Sequence, residues 1–173
     1  MITIHGDGSV TGGTGGLGLR SPGSVIQTLH TQKTDTFVSD ASTWTDITGL
    51  SQAITMTSAS NKVLVLVNLN ILNGTTTGSI TGLKRGDTFI GLAESGYGSR
   101  AVGLGAELYN DRADVFRTTS YSVLDTPGTG THTYKVVVDP NSYTVYVNRS
   151  EADADAASYA RGTSDITLME IAV

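Results

Sequence analysis

Few side chains in this 173-residue chain are of the kinds that do chemistry. His5, His30 and His132 are far apart and share no ligand spacing. The chain has no cysteine, so a zinc site would need carboxylate partners that the spacing does not identify. His132 stands at a strand entrance, where a surface position is expected. His30 lies on a strand with Gln27 and Gln32 nearby. It belongs either to a polar layer at a subunit interface or to a solvent-facing surface. Glu151, Asp153 and Asp155 alternate with alanine. Carboxylates in a loop suit Ca²⁺, but the glycine and bidentate glutamate of a helix–loop–helix site are missing. A solvated loop is expected instead. Gly13-Thr-Gly-Gly-Leu-Gly18 spells G-x-G-x-x-G. A dinucleotide fingerprint needs a helix after it, with its N-terminus on the pyrophosphate. Arg20-Ser-Pro-Gly follows and forbids that helix. Trp44, the single tryptophan, is with Tyr97 and Tyr121 the platform on which a sugar ring would stack.

The common catalytic signatures, G-x-S-x-G, H-E-x-x-H and the kinase set, do not occur in the sequence. Paired carboxylates for glycoside cleavage converge in space, so the sequence is silent on them. The expectation is a protein that is not an enzyme and uses no metal or cofactor. Asn73-Gly-Thr75 and Asn148-Arg-Ser150 match the glycosylation pattern. Met1-Ile-Thr-Ile-His-Gly6 has neither the basic flank nor the apolar core of a signal peptide, so both matches are read as chance.

Composition points to strands and turns. The chain carries 21 Gly and 3 Pro, and only 16% of its residues are charged, against a typical ~25%. Thr and Ser fill the gap, which is strand-and-turn usage. A net charge of −5 argues against nucleic-acid binding, which needs a basic stripe. No run approaches the ~18 apolar residues of a membrane span. A chain of this length buries enough surface to fold without a disulfide or a metal.

The organisation divides near Pro22-Gly23. Residues 1–23 are glycine-rich and almost without apolar side chains beyond Ile2 and Ile4. Fixing so many glycines is entropically costly, so this stretch is expected to be an extended arm that only a neighbouring subunit or another protein would hold. Residues 24–173 carry recurrent strand signals: 25–31, a run around 53–56, 62–72, 83–92, 101–108, 116–124, 131–138, 143–148 and 166–172. Their spacing favours a sandwich or barrel. Lys62 to Leu72 is the strongest. Its first half is apolar on both faces and its second on one, which reads as a central strand emerging toward solvent. Asn73-Gly74 and Asp139-Pro-Asn-Ser142 are turn compositions. Residues 151–160 permit a helix but offer no apolar stripe, and are read as a loop. The last strand has Ile166 and Leu168 on one face and Met169, Ile171 and Val173 on the other. Burial of both faces and of the chain end is expected there, which in turn predicts a subunit interface or a closed sandwich.

The body from Ser24 onward resembles a β-sandwich module of tailed-bacteriophage virion proteins, notably in phages of cyanobacteria. The resemblance lies in Gly23-Ser-Val-Ile-Gln with Lys33-Thr-Asp-Thr36, in Ser60-Asn-Lys-Val-Leu-Val65 and in Thr133-Tyr-Lys-Val136. It continues through Thr144-Val-Tyr-Val-Asn-Arg-Ser150 and Ile166-Thr-Leu-Met-Glu-Ile171. Ile2-Thr-Ile-His-Gly-Asp-Gly-Ser-Val-Thr-Gly12 also looks like the opening of such proteins. The resemblance implies an all-β, jelly-roll-like antiparallel sandwich of about eight strands behind an extended Gly-rich arm. It further implies a homotrimer on a capsid, spike or fibre surface, with no catalytic residues. Lacking a shaft, coiled-coil heptads or a second domain, the chain suits a capsid decoration (cement) protein or short head spike. The arm would dock on a major capsid protein or another virion protein, with Ile2 and Ile4 as pegs. The alternative is a tail-fibre or spike tip that binds a host glycan. No nucleic-acid or membrane partner is expected.

Overall fold

The structure, a computed structural model, describes residues 2–4, 10–12, 21–74, 78–94, 98–107 and 117–173. The described residues form thirteen strands: β1 (Ile2–Ile4), β2 (Val10–Gly12), β3 (Val25–Lys33), β4 (Phe37–Ser39), β5 (Thr45–Thr55), β6 (Lys62–Asn73), β7 (Ser79–Arg85), β8 (Thr88–Ile90), β9 (Gly105–Glu107), β10 (Arg117–Asp125), β11 (Thr131–Asp139), β12 (Val145–Val147) and β13 (Ser164–Ile171). All ladders are antiparallel. Among the described residues β1 and β2 pair only with each other. The body is a sandwich of two sheets. One runs β3-β13-β6-β12-β4, with β10 on the far side of β6. The other runs β5-β11-β7-β8, with β9 also on β7. The all-β antiparallel sandwich expected from composition and strand spacing is present.

Alternation sets the core. Val63, Val65, Val67, Leu69 and Ile71 of β6 face inward with Ile166, Leu168, Val145 and Val147. They meet Ile47, Leu50, Ile54, Leu83, Tyr134, Val136 and Val138 from the other sheet. Ile47 and Leu50 are three apart yet both buried, which simple alternation forbids. The ladder explains it: Asp46 pairs with Val137 and Ser51 with Lys135, so four residues of β5 oppose Val136 alone. Gly49 at φ +84° makes this bulge possible, since a side chain is strained there.

Polar clasps join the sheets along both long sides. On one side Gln27 Nε2 donates to Thr55 O (2.8 Å) and Thr31 Oγ1 to Gln52 Oε1 (2.5 Å). On the other, Arg85 and the Tyr134 hydroxyl both donate to Asp125 Oδ2, at 2.6 and 2.8 Å. Burial pushes the Tyr134 phenol above its ordinary pKa, and the Asp125 contact adds to that.

Several expectations are corrected. The run 83–92 is two strands, because Gly86, φ +58°, starts a two-residue hairpin turn before Thr88. Strand 53–56 is the end of the longer β5, and the run 101–108 holds only the short β9 among the described residues. β4 carried no strong signal. β6 does not emerge toward solvent. Ile71, Leu72 and Asn73 are buried at its end, and only Asn68 along it is exposed. Within one chain the last strand is buried on one face, so its expected burial on both depends on a subunit contact. Ile166, Leu168 and Glu170 are buried, Met169 and Ile171 are half-buried, and Val173 is 62% exposed. One sheet face receives the core and this chain leaves the other open.

Candidate interaction surface

Cross-strand register assembles the outer face of the larger sheet row by row. Val25, Ile171 and Lys62 form its first row. Thr28, Met169, Leu64 and Leu124 form the second, and His30, Thr167, Leu66 and Ser122 the third. Gln32, Asp165, Asn68 and Ser120 form the fourth. Asn70 and Thr118 continue it. The polar end is cross-linked. Ser120 Oγ donates to Asn68 Oδ1 (2.8 Å), and Asn68 Nδ2 lies 3.2 and 3.3 Å from the two Asp165 oxygens. Thr118 Oγ1 donates to Asn70 Oδ1 (2.6 Å), and the Asn70 amide donates to Thr163 O. His30 Nδ1 shares a hydrogen bond with Thr167 Oγ1 at 2.9 Å on the exposed face of this chain, a position open to solvent or to a neighbouring subunit. The other end is apolar: Val25, Ile171, Met169, Leu64, Leu66 and Leu124 adjoin across four strands. Val25 is 53% and Leu124 57% exposed.

Beneath that end lies a buried carboxylate. Glu170 is wholly buried and points into the sandwich. It receives Gln27 Nε2 on Oε2 (2.6 Å) and Thr57 N (2.9 Å), Thr57 Oγ1 (2.7 Å) and Asn61 Nδ2 (2.7 Å) on Oε1. Burial alone would raise its pKa, but these four donors outweigh it and hold the group at about 2. A second buried hub is Asn148, in the left-handed region at φ +63°. Its amide donates to Lys33 O (3.0 Å) and Asp35 O (2.9 Å), and its carbonyl accepts from Ser164 Oγ (2.6 Å). Asn148 and Asn73, the two glycosylation-pattern asparagines, are 0% and 1% exposed, so neither amide is accessible.

The remaining candidates disperse. Trp44 packs on the outer face of the smaller sheet, where a Cβ at Gly82 would lie 3.0 Å from its ring, and meets Phe89 edge-on at 4.9 Å. Tyr121 packs against the core between the sheets and donates to Gly82 O at 3.3 Å. The two are on opposite sides of β7, which takes them out of one sugar platform; Tyr97 lies outside the described residues. His132 is half-buried and Nε2 hydrogen-bonds Thr129 O (3.0 Å). His5 and the Gly13–Gly18 motif lie outside the described residues. Of the three loop carboxylates only Asp155 is fully exposed. Asp153 takes both Arg161 donors, at 2.9 and 2.6 Å, and Arg149 Nε lies 3.8 Å away. Its pKa is lowered, first by the Arg161 hydrogen bonds. The expected solvated loop is in part a carboxylate–arginine clamp, invisible in sequence because Arg161 follows eight residues later. Among the described residues no group of three or more His, Asp or Glu is placed to hold a metal. A cavity of about 400 Å³ is walled by Ile80 of β7 with Val102, Leu104 and Ala106, and Glu94 and Arg100 lie beside it.

No protein-family model matches the chain, and no curated protein matches it. Of the apolar outer face of the larger sheet, only the β13 residues Met169 and Ile171 were singled out from sequence. Its signal was the apolar Leu64 and Leu66, which read as double burial because cross-strand neighbours cannot be assigned without register.

Proposed function

We propose that this chain is a structural protein of a bacteriophage particle, a homotrimeric capsid decoration or head-spike protein. Its sandwich stands on the outer surface and its N-terminal segment binds a major capsid protein or another virion protein. The observation that carries the reading is a sandwich whose larger sheet, among the described residues, leaves a partly apolar outer face open, preceded by a β1–β2 pair that shares no described ladder with the body. Such a body stabilises by contact, as an apolar patch rimmed with polar groups does. Three identical arms on one trimer multiply a weak docking contact through effective concentration. The resemblance in strand and turn residues adds the phage setting.

The test is reconstitution. Full-length protein mixed with particles lacking it should rebind, and a chain lacking residues 1–20 should not. Equal rebinding of both forms would place the anchor in the sandwich; failure of both would remove the virion reading. The second reading, a glycan-binding tail tip, keeps Trp44 with Phe89 and Lys84, whose Nζ lies 4.7 Å from the Phe89 ring centre. Retention of the chain on host polysaccharide, abolished in Trp44→Ala, would favour it.

A further inference from the structure

We infer that the outer face of β10-β6-β13-β3 is the surface by which one copy of this chain packs on a second copy. The inference rests on the self-associating reading above and names the contact it uses. The apolar band formed by Val25, Ile171, Met169, Leu64, Leu66 and Leu124 is continuous, because each member is a direct cross-strand or i, i+2 neighbour of another. Water-exposed apolar surface of that extent marks a contact site.

Three features select a second copy as the occupant. The first is charge. The chain carries a net −5, so two copies repel unless they meet where charge is sparse. Across the four rows of this face the ionisable side chains are Lys62 at one end, Asp165 at the other and His30 between them. The smaller sheet instead presents Asp46, Lys84, Asp87 and Lys135 outward, with Lys135 bridging the two aspartates at 2.8 and 3.5 Å. Charge depletion at the centre of a face distinguishes interface cores, and a partner of opposite charge would find nothing here to grip. The second is shape. Leu124 protrudes, 57% exposed, beside a depression of about 320 Å³ between Leu66, Asn68, Ser120 and Ser122. With knob and hole on the same face, Leu124 of each copy enters the depression of the next, a head-to-tail contact that closes into a ring of three. The third is area. Four strands at ~4.8 Å spacing and about nine residues at ~3.3 Å give roughly 570 Å² of flat sheet, approaching the ~800 Å² per partner of a standard interface once side-chain relief is added.

The experiment is sedimentation equilibrium on the full chain, wild type and Leu124→Lys/Met169→Lys, with Leu92→Lys as control, since Leu92 is an exposed apolar residue outside the band. Wild type and the control should be oligomeric at 10 µM as an order of magnitude for such interfaces, and the double variant should dissociate with a constant at least ~100-fold higher. Leu124→Lys alone, at a 57% exposed position, covers the case in which the double variant does not fold. It should raise the constant ~10-fold, and Met169 in wild type should oxidise more slowly as protein concentration rises. An oligomer that both variants leave intact overturns this contact while the self-association reading stands. A wild type that is monomeric at 100 µM, on the order of a weak interface, overturns both.

Discussion

Glu170 is the residue on which burial and solvation conflict most sharply. All four of its partners are donors, so only the ionised carboxylate satisfies them. Protonation, or an amide in its place, sets a donor against donors. Its folded pKa of about 2 lies below the ordinary 4.5. The stabilisation is therefore fully present above pH 4.5 and is lost as pH falls from there toward 2. The difference amounts to about 3 kcal/mol, to order of magnitude. Urea titrations of the wild type at pH 7, 4 and 3 should show a falling midpoint. Glu170→Gln should start roughly 1–3 kcal/mol lower at pH 7 and show a flatter fall. A wild-type midpoint that does not move between pH 7 and 3 would refute the assignment. Asp153 and Asp155 separate paired from solvated charge. Asp153→Asn keeps a residue tolerant of φ +47° and removes only the charge held by Arg161, so it should lower the melting temperature. Asp155→Asn should stay within about 0.5 kcal/mol. Equal effects in thermal melts would contradict the clamp.

β13 is the element that makes the larger sheet one sheet. It lies between β3 and β6 over its whole length and sends Ile166, Leu168 and Glu170 into the core. A chain ending at Asp165 loses two side chains of roughly 1.5–3 kcal/mol each, strands the donors of Glu170 and detaches β3. It should show no cooperative melt by circular dichroism; one near the full-length temperature would refute this placement. Elements of this kind were legible in sequence: β6, β10, β11 and β13 each alternate over eight or more residues, and their ends were placed within about two. What escaped depends on partners rather than pattern. β4 is three residues long and exists because β12 accepts it. The β5 bulge is written only in Gly49. The second face of β13 could not be assigned a partner, because apolar residues on both sides of a strand look alike whether the second side meets this chain's core or another subunit. The Asp153–Arg161 clamp and the Glu170 cradle join residues across loops or across more than a hundred positions, beyond what spacing encodes.

At the scale of the molecule, the proposed function makes folding and anchoring separable. The core draws on β5 through β13, and Gly23 N to Ala172 O (2.8 Å) with Ala172 N to Ser24 O (2.9 Å) fastens the start of the body to its last strand. A chain lacking residues 1–20 should accordingly keep its oligomeric state and melting temperature to within about 2 °C, the size of a surface change. Loss of the oligomer on that deletion would make the segment a clasp between subunits. The proposal that the sandwich stands on a phage surface is tested most directly by a cryo-electron microscopy map of the intact particle in which the chain is made. The account predicts sandwich-shaped density in threefold groups on the capsid exterior, with the larger sheets facing one another. Density confined to the tail tip, or none on the particle, would contradict it.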